Sequence, residues 1–191
     1  MAVILSSNSP PFLSSFFVKP LSLVKSSYKK QPQFPQILRK PSNPLLFTRA
    51  MRAVVQRVTS ASVEVEGKIV SEIGPGLLVL IGVHDSDSDA DSNYICRKVL
   101  NMRLFPNENT GKAWDQSVMQ KNYEVLLVSQ FTLCGTLKGN KPDFHVAMPP
   151  ERSKPFYESL VEKFRKSYNP DSIKGSSYLQ LMRKVQLLLL V

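Results

Sequence analysis

Residues 77–83 form an almost continuously apolar run, which constrains the fold of the chain more than any other segment. A short apolar run between turn residues predicts a β-strand that is buried on both faces. Residues 62–66 alternate between polar and apolar side chains, as is typical of a strand with one solvent-facing side. Gly67 and the Gly-Pro-Gly segment at 74–76 predict the turns between these strands. With a first strand in residues 51–58, this pattern predicts a meander or a barrel.

An acidic segment follows the apolar run, with aspartate at every second position from Asp85 to Asp91. Such spacing resembles the start of a calcium-binding loop, which requires glycine at its sixth position and glutamate at its twelfth. Counted from Asp85, these positions hold Ala90 and Cys96, so we reject calcium binding. Acidic side chains instead stabilise the N-terminus of a helix, and we predict a helix over residues 89–102.

Two further segments complete the predicted fold. Residues 124–133 have the pattern of a strand, and residues 150–168 that of a helix whose first turn holds Pro150 and Glu151. The apolar stripe of this helix predicts the face that contacts the core, and its members are Phe156, Leu160, Val161, Phe164 and Tyr168. We therefore predict the α+β class, as an antiparallel sheet or barrel with two packed helices.

The first fifty residues differ in composition from the rest of the chain. They hold no Asp or Glu, seven Lys or Arg, nine Ser and seven of the fourteen Pro. A basic, Ser-rich and acid-free segment is typical of an organellar transit peptide. We predict a disordered extension over residues 1–50 that directs the chain to a chloroplast or mitochondrion. A disordered basic tail without a targeting role is the alternative, and initiation at Met51 would leave the protein in the cytoplasm.

Most of the positive charge belongs to this extension. Residues 51–191 carry the other 18 basic side chains and all 15 acidic ones, a net charge of +3. That balance allows RNA binding without requiring it, and we expect no DNA partner. No apolar run approaches the roughly 18 to 20 residues that span a bilayer, so we expect no membrane partner. Cys96 and Cys134 are too few for a disulfide framework or a thiolate zinc site, which predicts buried thiols and no metal.

Residues 128–133 carry the most informative chemistry of the chain. The polar side chains of Ser129, Gln130 and Thr132 end an otherwise apolar predicted strand. In a strand, Gln130 and Thr132 share one face, and Ser129 and Phe131 share the other. Polar groups are costly when buried without partners, which indicates that the strand end opens into a pocket. Ser and Thr also occur in strands merely as β-formers, so the pattern alone leaves both interpretations open.

Several colinear segments resemble the D-aminoacyl-tRNA deacylase family, and together they cover most of residues 51–174. The Ser-Gln-Phe-Thr sequence at 129–132 matches the first signature motif of that family. The other matching segments are the opening strand at 51–58, the apolar strand at 76–83, the loop at 139–144, and the helix start at 149–151 with Phe156 and Tyr157. Colinear matches are more specific than any one segment, and they predict a deacylase domain over residues 51–175.

The resemblance implies a homodimer that hydrolyses the ester joining a D-amino acid, or mischarged glycine, to the 3′ end of tRNA. The resemblance implies that the protein needs no cofactor and that its partners are aminoacyl-tRNA and a second copy of the chain. In the family, the terminal 2′-hydroxyl of the tRNA assists the attack, and backbone N–H groups near the motif hold the amino acid and the developing oxyanion. Carried onto this sequence, the catalytic residues are Ser129, Gln130, Phe131 and Thr132, with Arg57, Pro142 and Phe144 in substrate binding or support.

Catalysis by backbone groups also fits the histidines of the chain. His84 and His145 are the only two, and neither stands in a recognisable triad pattern with a Ser or Thr. Thr132 as a covalent nucleophile is therefore the weaker interpretation.

The C-terminus departs from the family pattern. The family's second motif is an Asn-x-Gly-Pro-Val-Thr segment that enters the neighbouring subunit's site and rejects L-amino acids, and this sequence contains no such segment. Residues 176–191 form a divergent tail, which either pairs as a strand at a sheet edge or leaves an edge unpaired and promotes aggregation. We therefore predict weak or absent chirality-selective activity. The alternative function is a catalytically impaired isoform, acting as a tRNA- or RNA-binding module or as an inactive dimer partner.

Overall fold

The computed structural model describes residues 2–6, 50–176 and 185–190, with side chains for residues 50–175. The elements in these ranges are β1 (Ala2–Ser6), β2 (Arg52–Val58), β3 (Ser60–Val65), β4 (Lys68–Ile73), β5 (Gly76–Gly82), α1 (Asp89–Asn101), α2 (Val118–Lys121), β6 (Glu124–Ser129), a 3-10 turn (Phe131–Cys134), β7 (Thr136–Lys138), β8 (Lys141–Asp143), α3 (Pro150–Ser167), a second 3-10 turn (Pro170–Ser172), β9 (Ile173–Ser176) and β10 (Val185–Leu190). None of the helices in this described part has the length and apolar character needed to cross a bilayer.

Five strands form the main sheet, in the order β1-β2-β5-β6-β9. Strand β2 is antiparallel to β1 and β5, whereas β5, β6 and β9 are parallel to one another. The parallel neighbours follow from α1 and α3, because a crossover helix returns the chain to the same sheet edge before the next strand begins. The α+β class is confirmed. The predicted antiparallel arrangement is wrong for this sheet, which is mixed and, within the described residues, ends at β1 and β9 rather than closing into a barrel.

Strands β3 and β4 leave the main sheet as a hairpin and form a second sheet with β10. Glu66 and Gly67 occupy the hairpin turn with φ of 53° and 79°, which confirms the predicted turn at Gly67. The apolar run of β5 lies between two hydrophobic layers. Alternate residues from Leu77 to Ile81 join the core under the helices, and Leu78 joins the core shared with the second sheet. The prediction that this strand is buried on both faces is confirmed.

Helix α1 begins within the acidic segment, as predicted. The four carboxylates of that segment all have partners in the protein. Asp85 pairs with Arg152, and Asp89 accepts a hydrogen bond from Lys163, which are both residues of α3. Asp87 accepts hydrogen bonds from the Met51 and His84 amides, and Asp91 accepts one from the Ser88 amide. Asp89 and Asp91 lie in the first helical turn, where the helix dipole favours negative charge. The segment therefore caps α1 and joins it to α3.

Helix α3 contacts the core with the predicted stripe. Leu160, Val161 and Phe164 are buried, and Phe156 and Tyr168 are partly buried and pack against the same core. Tyr157, which the predicted stripe did not include, lies on the same buried face and is 1% exposed. Its hydroxyl donates to the Leu127 carbonyl of β6 at 2.7 Å. A tyrosine buried in this way needs a hydrogen-bond partner, and a backbone carbonyl supplies it.

The two ends of the chain contribute one strand each. Ala2–Ser6 pairs with β2, so these five residues are a strand and not part of a disordered extension. Residues 7–49 lie outside the described residues, where disorder and targeting stay predictions. Of the tail, Val185–Leu190 pairs with β3, which is the first of the two outcomes considered for it. Residues 177–184 lie outside the described residues.

Candidate functional site

The Ser-Gln-Phe-Thr motif lies where β6 leaves the main sheet. Ser129 is the last residue of β6 and is opposite Ile81 of β5. The Gln130 amide still donates to the Ile81 carbonyl, at 2.6 Å, but the chain then turns into Phe131–Cys134. The Leu133 amide bonds back to the Gln130 carbonyl within this turn, and the pairing of β6 with β5 ends at Ser129. The predicted strand is therefore wrong beyond Ser129.

This position places the motif at the carboxyl edge of two parallel strands, β5 and β6. In open sheets with parallel strands, ligands bind in the crevice at the carboxyl ends. Phe131 and Thr132 are exposed there, and Ser129 and Gln130 are partly buried. The structure thus brings all four predicted residues to one open edge of the sheet.

The polar side chains of the motif bond to each other rather than to a base. Gln130 donates from Nε2 to Thr132 Oγ1, at 2.5 Å. An amide nitrogen cannot take a proton from a hydroxyl, whereas a covalent nucleophile needs an adjacent base. The His145 ring contacts Asp143 instead, at 2.8 Å. This arrangement supports the interpretation that Thr132 is not a covalent nucleophile.

An aromatic pair borders the motif. The rings of Phe131 and Phe144 have centroids 5.2 Å apart and planes inclined by 70°, which is the edge-to-face geometry. Phe144 packs on Gly135, where a Cβ would lie 2.7 Å from the ring. Pro142 is opposite Leu137 in the β7–β8 hairpin, and both are exposed. Of the two predicted support residues in this region, the structure brings Phe144 to the motif and places Pro142 in the adjoining hairpin.

Arg52, which was not among the predicted site residues, supports the turn that carries the motif. Its guanidinium donates to the Leu133 carbonyl at 2.7 Å. Arg57 lies at the other end of β2, since Arg52 is opposite Gly82 and Arg57 is opposite Leu77 in the register with β5. Its guanidinium donates to the Leu104 carbonyl at 3.0 Å and lies 5.9 Å from the centre of the Trp114 ring. The structure does not bring Arg57 to the motif of its own chain.

Charged side chains close the base of the β7–β8 hairpin. Asp143 pairs with Lys138 across the hairpin and with the His145 ring beyond it. Hydrogen bonds from Lys138 and His145 hold the pKa of Asp143 well below its usual range. The carboxylate therefore stays ionised and anchors the hairpin, which makes it a poor candidate for a general acid.

The turn that carries the motif rests directly on the β5 backbone. A Cβ at Gly82 would lie 2.7 Å from Leu133 Cβ and 3.1 Å from the Gln130 carbonyl oxygen. A glycine inside a strand often marks a close backbone approach, so this signal was available in the sequence. Tyr157 anchors the same region from α3, and burial raises the pKa of its phenol, which stays a hydrogen-bond donor.

The described residues offer no ready metal site or reactive thiol. No group of three or more His, Cys, Asp or Glu within residues 50–175 is placed to hold a metal ion. Cys96 and Cys134 are free and buried, which confirms the prediction that both are buried thiols. Burial raises the pKa of the Cys134 thiol to about 11, so it stays protonated at neutral pH. The chemistry available at the motif is that of backbone amides, hydroxyls and aromatic rings.

Comparison with known sequences shows what these residues are similar to. The sequence profile described as D-Tyr-tRNA(Tyr) deacylase matches residues 54–188, which includes the motif and extends into the tail that the sequence analysis separated at residue 176. D-aminoacyl-tRNA deacylase of Dictyostelium discoideum is 52% identical over 132 residues, covering 69% of this chain and 87% of that protein. D-aminoacyl-tRNA deacylase 1 of Mus musculus is 54% identical over 128 residues, covering 67% of this chain and 61% of that protein. The chain thus spans less than two thirds of the mouse protein.

Solved structures share the fold. The c-Myc DNA Unwinding Element Binding Protein superposes with a TM-score of 0.66 at 48% identity, covering 72% of this chain and 90% of that one. A probable eukaryotic D-amino acid tRNA deacylase superposes with a TM-score of 0.60 at 17% identity, covering 73% and 92%. At that lower identity, the likeness shows the fold alone.

Proposed function

The chain belongs to the D-Tyr-tRNA(Tyr) deacylase family, and on that premise we propose that it hydrolyses the ester bond of D-aminoacyl-tRNA. The products are the free amino acid and tRNA, and the reaction is a quality-control step of translation. The same family resemblance adds mischarged glycyl-tRNA as a substrate. No cofactor takes part in this proposal.

The position of the Ser-Gln-Phe-Thr motif is the observation that carries the proposal. The motif lies at the open carboxyl edge of β5 and β6, with Phe131 and Thr132 exposed. Arg52 and Gly82 hold the turn from two sides, through the Leu133 carbonyl and the β5 backbone. A rigid turn at an open edge is suited to holding donor groups in one geometry during a reaction.

The proposed chemistry uses backbone donors and water. In a 3-10 turn each amide bonds to the carbonyl three residues earlier, so the amides of Phe131 and Thr132, at its start, have no partner within the turn. Donors that are fixed where negative charge develops lower the barrier, often by about 3 kcal/mol each. These amides suit the oxyanion formed when water attacks the ester, with the 2′-hydroxyl of the tRNA assisting as the family resemblance implies.

The tRNA end would pack on the aromatic pair. Phe131 is 37% exposed, and its edge-to-face contact with Phe144 fixes the orientation of its ring. Unstacked bases at the ends of RNA are commonly bound by stacking on aromatic side chains. Phe131 is therefore proposed to contact the terminal base, which would bring the adjacent ester to the turn.

A second copy of the chain and an organellar location are further parts of the proposal. Ile69 and Val70 on β4 are 58% and 42% exposed, and such apolar side chains support an interface between two copies.

The composition of residues 1–50 supports import into a chloroplast or mitochondrion. Initiation at Met51 would leave a cytoplasmic form.

The test measures the release of D-tyrosine from D-Tyr-tRNA by the full chain. Phe131→Ala is compared with Met119→Ala, because both side chains are 37% exposed but Met119 lies on α2, against α1 and α3. We expect Phe131→Ala to lower kcat/KM about tenfold or more, equivalent to ~1.4 kcal/mol in the barrier, and Met119→Ala to leave it unchanged.

Two results would contradict the proposal. Equal losses in the two variants would show that the motif is not the site of reaction. Retardation of D-Tyr-tRNA that weakens with salt, while the ester stays intact, would identify a binding module in place of an enzyme.

A further inference from the structure

Among the residues with described side chains, 50–175, the partly buried carboxylate of Asp87 has no cationic partner, and it faces the first residue of the deacylase domain. The two oxygens of Asp87 accept hydrogen bonds from the backbone amides of Met51, at 2.7 Å, and His84, at 2.6 Å. The ion pairs among residues 50–175 do not include Asp87. Burial raises the pKa of Asp87 to about 6, and repulsion from the nearby Asp91 adds to the rise. A carboxylate removed from water without a cation is unfavourable, so this site lacks one positive charge.

The nitrogen that faces Asp87 is the main-chain nitrogen of Met51. Met51 is 0% exposed and Ala50 is 1% exposed, and β2 begins at the next residue, Arg52. In the full chain this nitrogen is a neutral amide. In a chain that begins at Met51 it would be an α-ammonium group, with its positive charge within hydrogen-bond distance of the carboxylate. Such a charge-assisted hydrogen bond is about twice as strong as a neutral one.

We propose that Asp87 is a binding site for the α-ammonium group of a chain that begins at Met51. The α-ammonium group arises either when translation begins at Met51 or when a longer chain is cleaved before it. Its contact with Asp87 is the same in the two cases. The Dictyostelium relative is matched over 87% of its length, which leaves too few residues outside the match for an extension of fifty. The proposal is independent of the proposed reaction, since Asp87 is not among the motif residues.

The first experiment identifies the N-termini of the protein made from the full coding sequence in eukaryotic cells. Mass spectrometry of the purified protein should find chains that begin at residue 51. A Met51→Leu variant distinguishes the two sources, because it abolishes initiation at this position but leaves a cleavage before it possible. A chain beginning at residue 51 in neither protein would overturn the proposal.

The second experiment measures the pKa of the Met51 amino group in a chain of residues 51–191, by NMR with ¹⁵N-labelled methionine. An α-amino group ordinarily has a pKa of about 7.7 to 8.0, and a facing carboxylate raises it. We expect a rise of about one unit or more, a tenfold gain in proton affinity. Asp87→Asn should return the pKa to its ordinary range, whereas Asp85→Asn should not, because Asp85 pairs with Arg152 instead.

Each contrary result counts against the site. An ordinary pKa in the unsubstituted chain, or the same rise in the Asp87→Asn variant, would show that the ammonium is not bound by Asp87. A chain of residues 51–191 that fails to fold while residues 1–191 fold would overturn the proposal as well. A bound ammonium also predicts that Asp87→Asn lowers the folding equilibrium constant of the shorter chain about tenfold more than that of the full chain.

Discussion

Replacing Gly82 by alanine should disturb the motif while leaving most of the fold intact. The new Cβ would lie 2.7 Å from Leu133 Cβ, 3.1 Å from the Gln130 carbonyl oxygen and 3.2 Å from Cys134 Sγ. Ordinary contacts of this kind begin at 3.4 Å, so Leu133 must move by about 0.7 Å. Because Cβ is bonded directly to the backbone, the turn that carries Phe131 and Thr132 has to move with it.

The size of the effect follows from that displacement. A shift of about 1 Å in a reacting geometry costs up to ~100-fold in rate, so we expect kcat/KM to fall between tenfold and a hundredfold. That fall corresponds to about 1.4 to 2.7 kcal/mol in the barrier. Overpacking should also lower the free energy of unfolding by about 1 to 3 kcal/mol. Initial rates of D-Tyr-tRNA hydrolysis and urea denaturation measure the two quantities separately.

Gly74→Ala is the matched control. Its Cβ would be 3.6 Å from the nearest atom, Glu124 Oε2, and it precedes β5 at the end away from the motif. We expect the rate and stability of this variant to stay close to those of the unsubstituted chain. A folded Gly82→Ala protein with an unchanged kcat/KM would refute the reasoning, and so would an equal loss of activity in Gly74→Ala.

Three other predictions concern stability and selectivity. Tyr157→Phe removes the hydrogen bond to the Leu127 carbonyl and should lower the free energy of unfolding by about 1 to 2 kcal/mol, seen as a lower urea midpoint at constant slope. The pKa of Asp87 is raised in the folded chain, from 3.8 to about 6, so its proton stabilises the fold below pH 4 and this stabilisation is lost as the pH rises to 6. Asp87→Asn should remove this pH dependence of the free energy of unfolding, which is measured by urea titrations of the full chain between pH 4 and 6. An unchanged pH dependence in the variant would contradict the prediction. Lacking the Asn-x-Gly-Pro-Val-Thr segment, the chain should discriminate weakly between D-Tyr-tRNA and L-Tyr-tRNA; robust turnover of the D-ester alone would show this prediction to be wrong.

Much of the local structure was predictable because local patterns cause it. The apolar run at 77–83 and the turn at Gly67 appear where the sequence places them, since side-chain periodicity and glycine conformation act over a few residues. The Ser-Gln-Phe-Thr residues follow directly after the apolar part of β6, and the pocket predicted at this strand end stays a prediction. The predicted strand conformation was wrong beyond Ser129, because a 3-10 turn with a bond from the Leu133 amide to the Gln130 carbonyl replaces the strand.

The supporting residues illustrate the limit of sequence reasoning. The family resemblance pointed to Arg57, whereas in this chain Arg52 bonds to the turn that carries the motif. Both arginines lie on β2, and the antiparallel register with β5 alone decides which of them reaches the turn. Tyr157 shares the buried face of α3 with Leu160, Val161 and Phe164, but only the tertiary structure shows that its hydroxyl bonds to the Leu127 carbonyl of β6.

The sequence by itself determined strands β2, β3 and β5, helices α1 and α3, the α+β class of the fold and the identity of the motif, because periodicity, turn chemistry and residue order are properties of the chain. Tertiary structure decided which strand ends lie together, that the sheet is mixed, and that the motif sits on a turn packed against Gly82. A two-residue period states which side chains share a face of a strand, but not which strand lies beside it. That choice depends on packing between distant segments, such as the α1 and α3 crossovers that make β5, β6 and β9 parallel.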